Sequence, residues 1–176
     1  MPYYIRIMWV DIVVIIILCL SLFGGLKEGA VKQFFSLLIL FIAIPLTGQL
    51  YYLLATALSF IPGTNWENFI GFFITLAIIS VIFHFIFLIP RNFTAKVWKK
   101  GLVFRILGGA FNAFGACIGF AVFTLVLGAY PVIDFAARAV ADSGVLMWLA
   151  EHLSFVQAML PEVFRNAAGL VVACGN

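Results

Sequence analysis

Four stretches of this sequence run for about twenty residues or more with almost no charged side chain: residues 8–26, 34–57, 69–89 and 106–133. About twenty apolar residues in an α-helix cross the hydrocarbon core of a bilayer, so stretches of this length are typical of transmembrane helices. Of the 176 residues, 65% are hydrophobic and 10% are charged, far from the fractions usual in soluble domains. We therefore predict an all-α, polytopic membrane protein with about four transmembrane helices in a single membrane domain, residues 1–176.

Glycine, proline and charge mark the ends of these stretches. The first closes in a turn of glycine and charged residues at 24–29, and the third ends before Pro90, because proline disfavours helix in the residue that precedes it. Pro45, inside the second stretch, predicts a kink in that helix. The fourth stretch is longer than a bilayer needs, so we expect its helix to continue beyond the membrane.

The last part of the chain predicts a helix of a different kind. Asp142 or Ser143 can cap a helix that continues to Leu160 and stops at Pro161. Its apolar residues share one face: Val145, Leu149, Leu153, Val156 and Leu160. This pattern predicts a C-terminal amphipathic helix over about 143–160, which either lies on the membrane surface or packs across the bundle.

Basic residues concentrate in two short loops, which sets the predicted orientation. If loops 27–33 and 91–105 face the cytoplasm, they hold seven of the ten Lys and Arg residues against one acid, Glu28. With four spans, both termini then lie on the opposite side of the membrane. Aromatic residues fall at the outer ends predicted in this way: Trp9, Tyr51, Tyr52, Trp66 and Tyr130.

The second loop carries cations without a single acid: Arg91, Lys96, Lys99, Lys100 and Arg105. We interpret them as topology determinants with affinity for anionic lipid, each contributing about 1 kcal/mol at such a surface. Apolar residues interleaved with them suit a short interfacial helix. Since the loop matches no recognised nucleic-acid motif, the expected partner is the lipid bilayer and not nucleic acid.

A stripe of small residues marks the fourth stretch. Gly108, Asn112, Gly115 and Gly119 lie at offsets of four, three and four, so they share one helix face. Small residues let another backbone approach closely, and the last two form a Gly-x-x-x-Gly pair of the kind that drives helix association in lipid. Packing within the protein is the favoured interpretation. A contact within a homo-oligomer or with another membrane protein stays open, as does a pore or substrate groove.

Two ionisable residues within the apolar stretches are candidates for a relay or a polar contact. Asp11 lies near the outer end of the first span, where it either sits among headgroups, bonds a neighbouring helix, or takes part in a proton or cation relay. His84 lies near the inner end of the third span, where a hydrogen bond across the bundle is favoured over a proton shuttle. We expect the two residues near opposite membrane faces, which argues against a direct pair.

Motifs for catalysis and for cofactors are absent from the sequence. It has no nucleotide-binding loop, no His-Glu-x-x-His and no nucleophile elbow. Its three cysteines show no paired spacing, and no second ligand accompanies His84 on its helix. We therefore expect no enzymatic activity, no cofactor and no metal site.

Three segments resemble the colicin V production protein family of bacterial inner-membrane proteins. Trp9-Val10-Asp11-Ile12 looks like the acid that opens the family's first helix. The turn Gly25-Leu26-Lys27-Glu28-Gly29, followed by Val31-Lys32, is similar to the family's glycine and basic turn. Arg105-Ile106-Leu107-Gly108-Gly109, with Gly115 and Gly119 beyond, looks like the entry to its last span. The resemblance covers roughly residues 9–160. The chain departs from the family pattern at Glu28, where the family tends to have a basic residue directly before the glycine.

This resemblance implies a multi-pass protein of the bacterial inner membrane, with both termini in the periplasm under the orientation above. It also implies a role in colicin V production or secretion and in tolerance of envelope stress, without an established chemical mechanism. We expect a non-enzymatic protein that acts through helix–helix contacts with itself or with other membrane proteins. The alternative is a small transporter or channel subunit that moves protons, ions or amphiphiles, with Asp11, His84 and the kink at Pro45 along the path.

Overall fold

The computed structural model describes residues 9–58, 65–97, 101–132 and 134–161 of the chain. These residues form α-helices and no strand, which confirms the predicted fold class. In chain order the helices are α1 (Trp9–Glu28), α2 (Ala30–Ala57), α3 (Trp66–Ile86), α4 (Leu88–Val97), α5 (Leu102–Ala129), α6 (Asp134–Ala141), α7 (Gly144–His152) and α8 (Ser154–Met159).

Four of these helices, α1, α2, α3 and α5, are long and apolar enough to cross a membrane. They contain 20, 28, 21 and 28 residues. At 1.5 Å per residue each is therefore about 30 Å long or longer, the thickness of the hydrocarbon core. Many of their apolar side chains point outward, among them Ile16, Leu20 and Phe85. An exposed apolar surface of this extent is typical of a protein that lipid surrounds.

The spanning helices do not pack in chain order. α1 packs along α5, while α2 packs against both α3 and α5. The main core lies where α2, α3, α5 and α8 meet, and its largest buried side chains include Ile44, Phe72, Ile118 and Val156. A second, smaller core joins the start of α1 and the end of α5 to α6 and α7, through Val14, Leu127, Val140 and Leu146.

The two ends of the bundle differ. We call the end where α6 and α7 pack on the start of α1 the cap end. The other end, where α1 turns into α2 and α3 continues into α4, is the basic end, because Lys27, Lys32, Arg91 and Arg105 lie there. Whether the basic end faces the cytoplasm stays a prediction.

The segment predicted as one amphipathic helix over 143–160 consists of two helices. α7 ends and α8 begins at Leu153, whose φ of −90° and ψ of 46° depart from helical values. A break leaves backbone carbonyls without helical partners. The side-chain amide of Gln157 donates to the carbonyl oxygen of Ala150 at 2.7 Å, which satisfies one of them. Because the chain bends here, α7 packs on α5 and α1 while α8 reaches α2, so the segment packs across the bundle.

Helix ends differ from the predicted ones by a few residues. The fourth span begins at Leu102 and ends at Ala129, where 106–133 was predicted, and the second begins at Ala30 in place of residue 34. α2 remains helical through Pro45. α4 follows α3 directly and includes Pro90 in its first turn. The apolar face predicted for α4 falls on side chains outside the described ones.

Candidate functional site

Asp11 is buried at the cap end, with 1% of its surface exposed. Its Oδ1 accepts a hydrogen bond of 2.5 Å from the hydroxyl of Ser143 and one of 3.1 Å from the backbone N–H of Val145. The Ser143 hydroxyl in turn accepts from the N–H of Leu146 at 3.3 Å, as the N-cap of α7. We call this group, Asp11 with Ser143 and the first turn of α7, the carboxylate contact.

The surroundings of Asp11 suit a charged carboxylate despite its burial. The first turn of a helix presents backbone N–H groups without helical partners, together with the positive end of the helix dipole. α7 presents that turn to Asp11, so hydrogen bonds to the oxygen replace part of the hydration that burial removes. Asp11 thereby joins α1 to α7. A relay role for Asp11 stays a prediction.

At the other end of α1, glycine allows two backbones to touch. A Cβ atom built on Gly25 would lie 2.3 Å from the carbonyl oxygen of Gly108, and one built on Gly108 would lie 2.6 Å from the carbonyl oxygen of Gly25. A Cβ atom built on Gly109 would lie 3.0 Å from the carbonyl oxygen of Leu22. We call this crossing of α1 and α5, with its three glycines, the glycine contact. No side chain larger than hydrogen fits between Gly25 and Gly108 without moving a helix.

Asn112 supports the glycine contact one turn further along α5. Its side-chain amide donates to the carbonyl oxygen of Ser21 in α1 at 2.6 Å. The face that the sequence assigns to a single stripe therefore meets several environments. Gly108 and Asn112 pack on α1. A Cβ atom built on Gly115 would lie 3.7 Å from Leu37 Cδ1 in α2, and one built on Gly119 would have nothing within 4 Å.

His84 lines a groove with a cavity volume of about 260 Å³ between α2, α3 and α5. We call it the polar groove, because its lining includes five polar side chains: Gln33, Ser36, Ser80, His84 and Asn112. Gly115 also lines it. His84 and Ser36 are exposed on the outside of the bundle, whereas Gln33 is buried and donates to Glu28 at 2.7 Å. Asp11 and His84 thus belong to different sites, one at each end of the bundle.

The predicted lipid-binding cations are only partly described. Arg91 lies in α4 and Arg105 in the first turns of α5. The side chain of Lys96 and all of Lys99 and Lys100 lie outside the described part of the chain. Within the described part, no group of three His, Cys, Asp or Glu residues is arranged to hold a metal ion.

Sequence patterns alone did not identify two of the residues that form these sites. The sequence predicts Gly25 as a turn glycine, whereas it lies within α1, where its backbone packs directly on that of Gly108 in α5. The sequence predicts Asp142 or Ser143 as a helix cap. Ser143 is the cap, and its hydroxyl also donates to Asp11 across 132 positions of sequence. One signal in the sequence could have identified this contact: Asp11, an acid within an apolar span, and Ser143, a candidate helix cap, are both predicted at the same membrane face.

Taken together, four long apolar helices and a capping set of short helices define a multi-pass, all-α membrane protein. The family model described as Colicin V production protein matches residues 10–154, which is most of the chain. The protein therefore belongs to the colicin V production protein family, as its motifs predicted. Searches of curated proteins and of solved structures gave no match. Family membership indicates a membrane protein involved in colicin V production.

Proposed function

We propose that this protein supports colicin V production and envelope homeostasis as a non-enzymatic component of the bacterial inner membrane that acts through helix–helix contacts. Family membership indicates the process, which is colicin V production. We infer the helix–helix activity from the polar side chains and glycines that the folded bundle exposes on its outer surface. A partner helix, from a second copy or from another membrane protein, is the expected ligand.

The polar groove supports this proposal most directly. His84 and Ser36 are exposed on spanning helices, where lipid cannot satisfy their hydrogen-bonding groups. Polar side chains on a transmembrane surface are typical of helix–helix interfaces, because a second helix can bond them. A helix that covers the polar groove would remove these groups from lipid.

Open glycine beside the polar groove makes close approach of such a helix possible. Gly115 lines the groove, and Gly119, one turn further along α5, is exposed with nothing within 4 Å of its Cβ position. The glycines that hold α1, Gly25 and Gly108, are already occupied by backbone. Association and folding therefore use different parts of α5, and substitutions can separate them.

The test is Gly119→Leu in the full-length protein. No atom lies within 4 Å of the Cβ position of Gly119, which is exposed, so the fold should persist, while the approach of a partner helix is blocked. We expect co-purification of two differently tagged copies, or of cross-linked partners, to fall about fivefold, the equivalent of roughly 1 kcal/mol. Colicin V output and growth on bile salts should fall with it in a deletion strain that carries the variant.

Ala110→Leu is the matched control. Ala110 is also exposed on α5, but it lies nine residues from Gly119, about two and a half turns, and so on the opposite side of the helix. This variant should keep both association and colicin V output. Unchanged association and unchanged output in Gly119→Leu would refute action through this face.

Transport is the second candidate, and the presence of His84 in the polar groove favours it. A titratable side chain in a groove with Gln33 and Ser80 can pass a proton between polar groups. Purified protein in liposomes that contain a pH-sensitive dye should then show proton flux that His84→Ala abolishes. His152→Ala, at the exposed histidine of α7, is the control that should leave flux intact. Liposomes without flux above the protein-free level would exclude this candidate for protons.

A further inference from the structure

A second cavity lies at the basic end, between the last turns of α1 and the first turns of α5. It has a volume of about 450 Å³ and is lined by Phe23, Leu26, Lys27, Leu102, Arg105 and Ile106. We call it the cationic cavity. On each helix the lining residues are spaced by three and then one, so each helix contributes a single continuous face. The volume is within the range of small-molecule pockets.

The cationic cavity lies beside the glycine contact. α1 and α5 touch at Gly25 and Gly108, neither of which carries a side chain. Lys27 and Arg105 lie just beyond this crossing, toward the helix ends, and line the cavity together with four apolar side chains. The pocket therefore combines apolar walls with two charged groups near the helix ends.

The charge of the cationic cavity is not neutralised by the acid next to it. Glu28 is the one acid in the sequence of loops 27–33 and 91–105. Its carboxylate is already engaged, by Lys32 at 2.8 Å and by the amide of Gln33 at 2.7 Å. Lys27 and Arg105 are both exposed, so their positive charges are available to a ligand.

The start of α5 adds further positive potential. α5 begins after Gly101, has no acid in its first turn, and receives no side-chain cap from the described residues. Its first backbone N–H groups and the positive end of its dipole therefore lie beside Leu102 and Arg105, which line the cationic cavity. Two cations, an uncapped helix start and apolar walls together select an anion that carries a hydrocarbon chain.

We propose that the cationic cavity binds one anionic phospholipid from the leaflet at the basic end. The phosphate lies between Lys27 and Arg105, and an acyl chain lies along Phe23 and Ile106, both of which are exposed to the surrounding lipid. Basic pockets between transmembrane helices are known to bind anionic headgroups. The proposal concerns a lipid site and does not depend on the proposed helix–helix function.

Native mass spectrometry of the purified full-length protein, with phosphatidylglycerol or phosphatidylcholine added in a mild detergent, tests the proposal. Each cation near an anionic lipid contributes about a fivefold preference, so the wild type should bind phosphatidylglycerol about 25-fold more tightly than phosphatidylcholine. The double variant Lys27→Gln/Arg105→Gln should lose this preference. Phe23→Ala should weaken binding of both lipids by the same factor, because it removes only the contact with the acyl chain.

Arg91→Gln is the matched control for the single variant Arg105→Gln, since it removes one charge at the basic end from a residue that does not line the cationic cavity. It should keep the preference within about twofold of the wild type, whereas Arg105→Gln should lower the preference about fivefold. An equal loss in these two variants would show general attraction to the basic end and would overturn the proposal. Displacement of phosphatidylglycerol by inorganic phosphate would overturn it too, because the site would then bind any phosphate.

If the double variant fails to fold, as judged by circular dichroism and size-exclusion chromatography, the wild type decides alone. Equal affinity for the two lipids would contradict the site, and preference for phosphatidylglycerol that survives excess inorganic phosphate would support it. Arg105→Lys gives a further comparison, because it keeps the charge and should retain more than half of the wild-type preference.

Discussion

α1 is held at its two ends by contacts of opposite kinds. Its buried residues are Asp11, Val14 and Gly25, so the helix between them faces largely outward. At the cap end the carboxylate contact supplies hydrogen-bond acceptors to the start of α7. At the basic end the glycine contact depends mainly on backbone, because Gly25 and Gly108 bring the main chains of α1 and α5 together.

The difference between the two contacts shows how a peripheral span can be fixed in lipid, where apolar side chains gain little by leaving the solvent. Hydrogen bonds to a buried carboxylate depend on particular atoms. Removing an oxygen therefore weakens the carboxylate contact, whereas adding carbon atoms at the other end of α1 does not. Close backbone packing depends on the absence of atoms, so any added carbon weakens the glycine contact. Substitutions that remove atoms and substitutions that add them should therefore act at opposite ends of α1.

The largest expected effect is from Gly108→Val. Its Cβ would lie 2.6 Å from a carbonyl oxygen of α1, and because the obstacle is backbone, a helix must move. We expect a loss of at least about 3 kcal/mol in the free energy of unfolding, the upper part of the range for overpacking. Unfolding by SDS in mild detergent mixtures, followed by circular dichroism, measures it.

Gly119→Val, in the same helix, is the control for β-branching and for loss of glycine. Because nothing lies within 4 Å of its Cβ position, it should change the free energy of unfolding by less than about 0.5 kcal/mol. Equal stability of the two variants would mean that α1 and α5 do not touch at Gly108.

Asp11→Ala should have the next largest effect. It leaves the Ser143 hydroxyl and the Val145 N–H without the acceptor they use, in a buried site. Leaving a buried donor unsatisfied destabilises by about 1 to 3 kcal/mol, so we expect a loss of about 2 kcal/mol in the same SDS titration.

Ser143→Ala combined with Asp11→Ala forms a double-mutant cycle that isolates the bond between them. The loss of unfolding free energy in the double variant should be smaller than the sum of the two single losses, because each single variant already removes the same interaction. Asp142→Asn, at the exposed acid beside Ser143, is the control and should leave stability unchanged. Full additivity in the cycle would mean that Asp11 does not interact with Ser143, the N-cap of α7.

The fold was largely predictable from the sequence, for a physical reason. In lipid, backbone groups must be satisfied within each span, so a long apolar stretch determines a helix by itself. The ends were less predictable, since α5 begins at Leu102 and includes Arg105. A long basic side chain can extend toward the headgroups from inside a helix, so charge does not mark where the helix starts.

The sites were less predictable than the fold. A glycine stripe identifies a smooth face, but it does not specify which helix meets each position, and here α1 takes Gly108 while Gly119 stays open. Likewise, Asp11 was recognised as a candidate for bonding a neighbouring helix, but its partner Ser143 depends on how α6 and α7 fold back onto α1. Such contacts join residues far apart in the chain, and no local pattern encodes them.

The smallest expected effect, from Asn112→Ala, sharpens the comparison most. Asn112 donates to the Ser21 carbonyl within the glycine contact, so this contact also contains one side-chain hydrogen bond. Hydrogen bonds between transmembrane helices contribute about 0.6 kcal/mol on average, and the Ser21 carbonyl lies within α1, where it can keep its helical bond. We therefore expect a loss of about 0.6 kcal/mol in the SDS titration, well below that of Asp11→Ala. A loss as large as that of Asp11→Ala would mean that hydrogen bonding holds both ends of α1, and that the glycines serve mainly to bring Asn112 within reach of its acceptor.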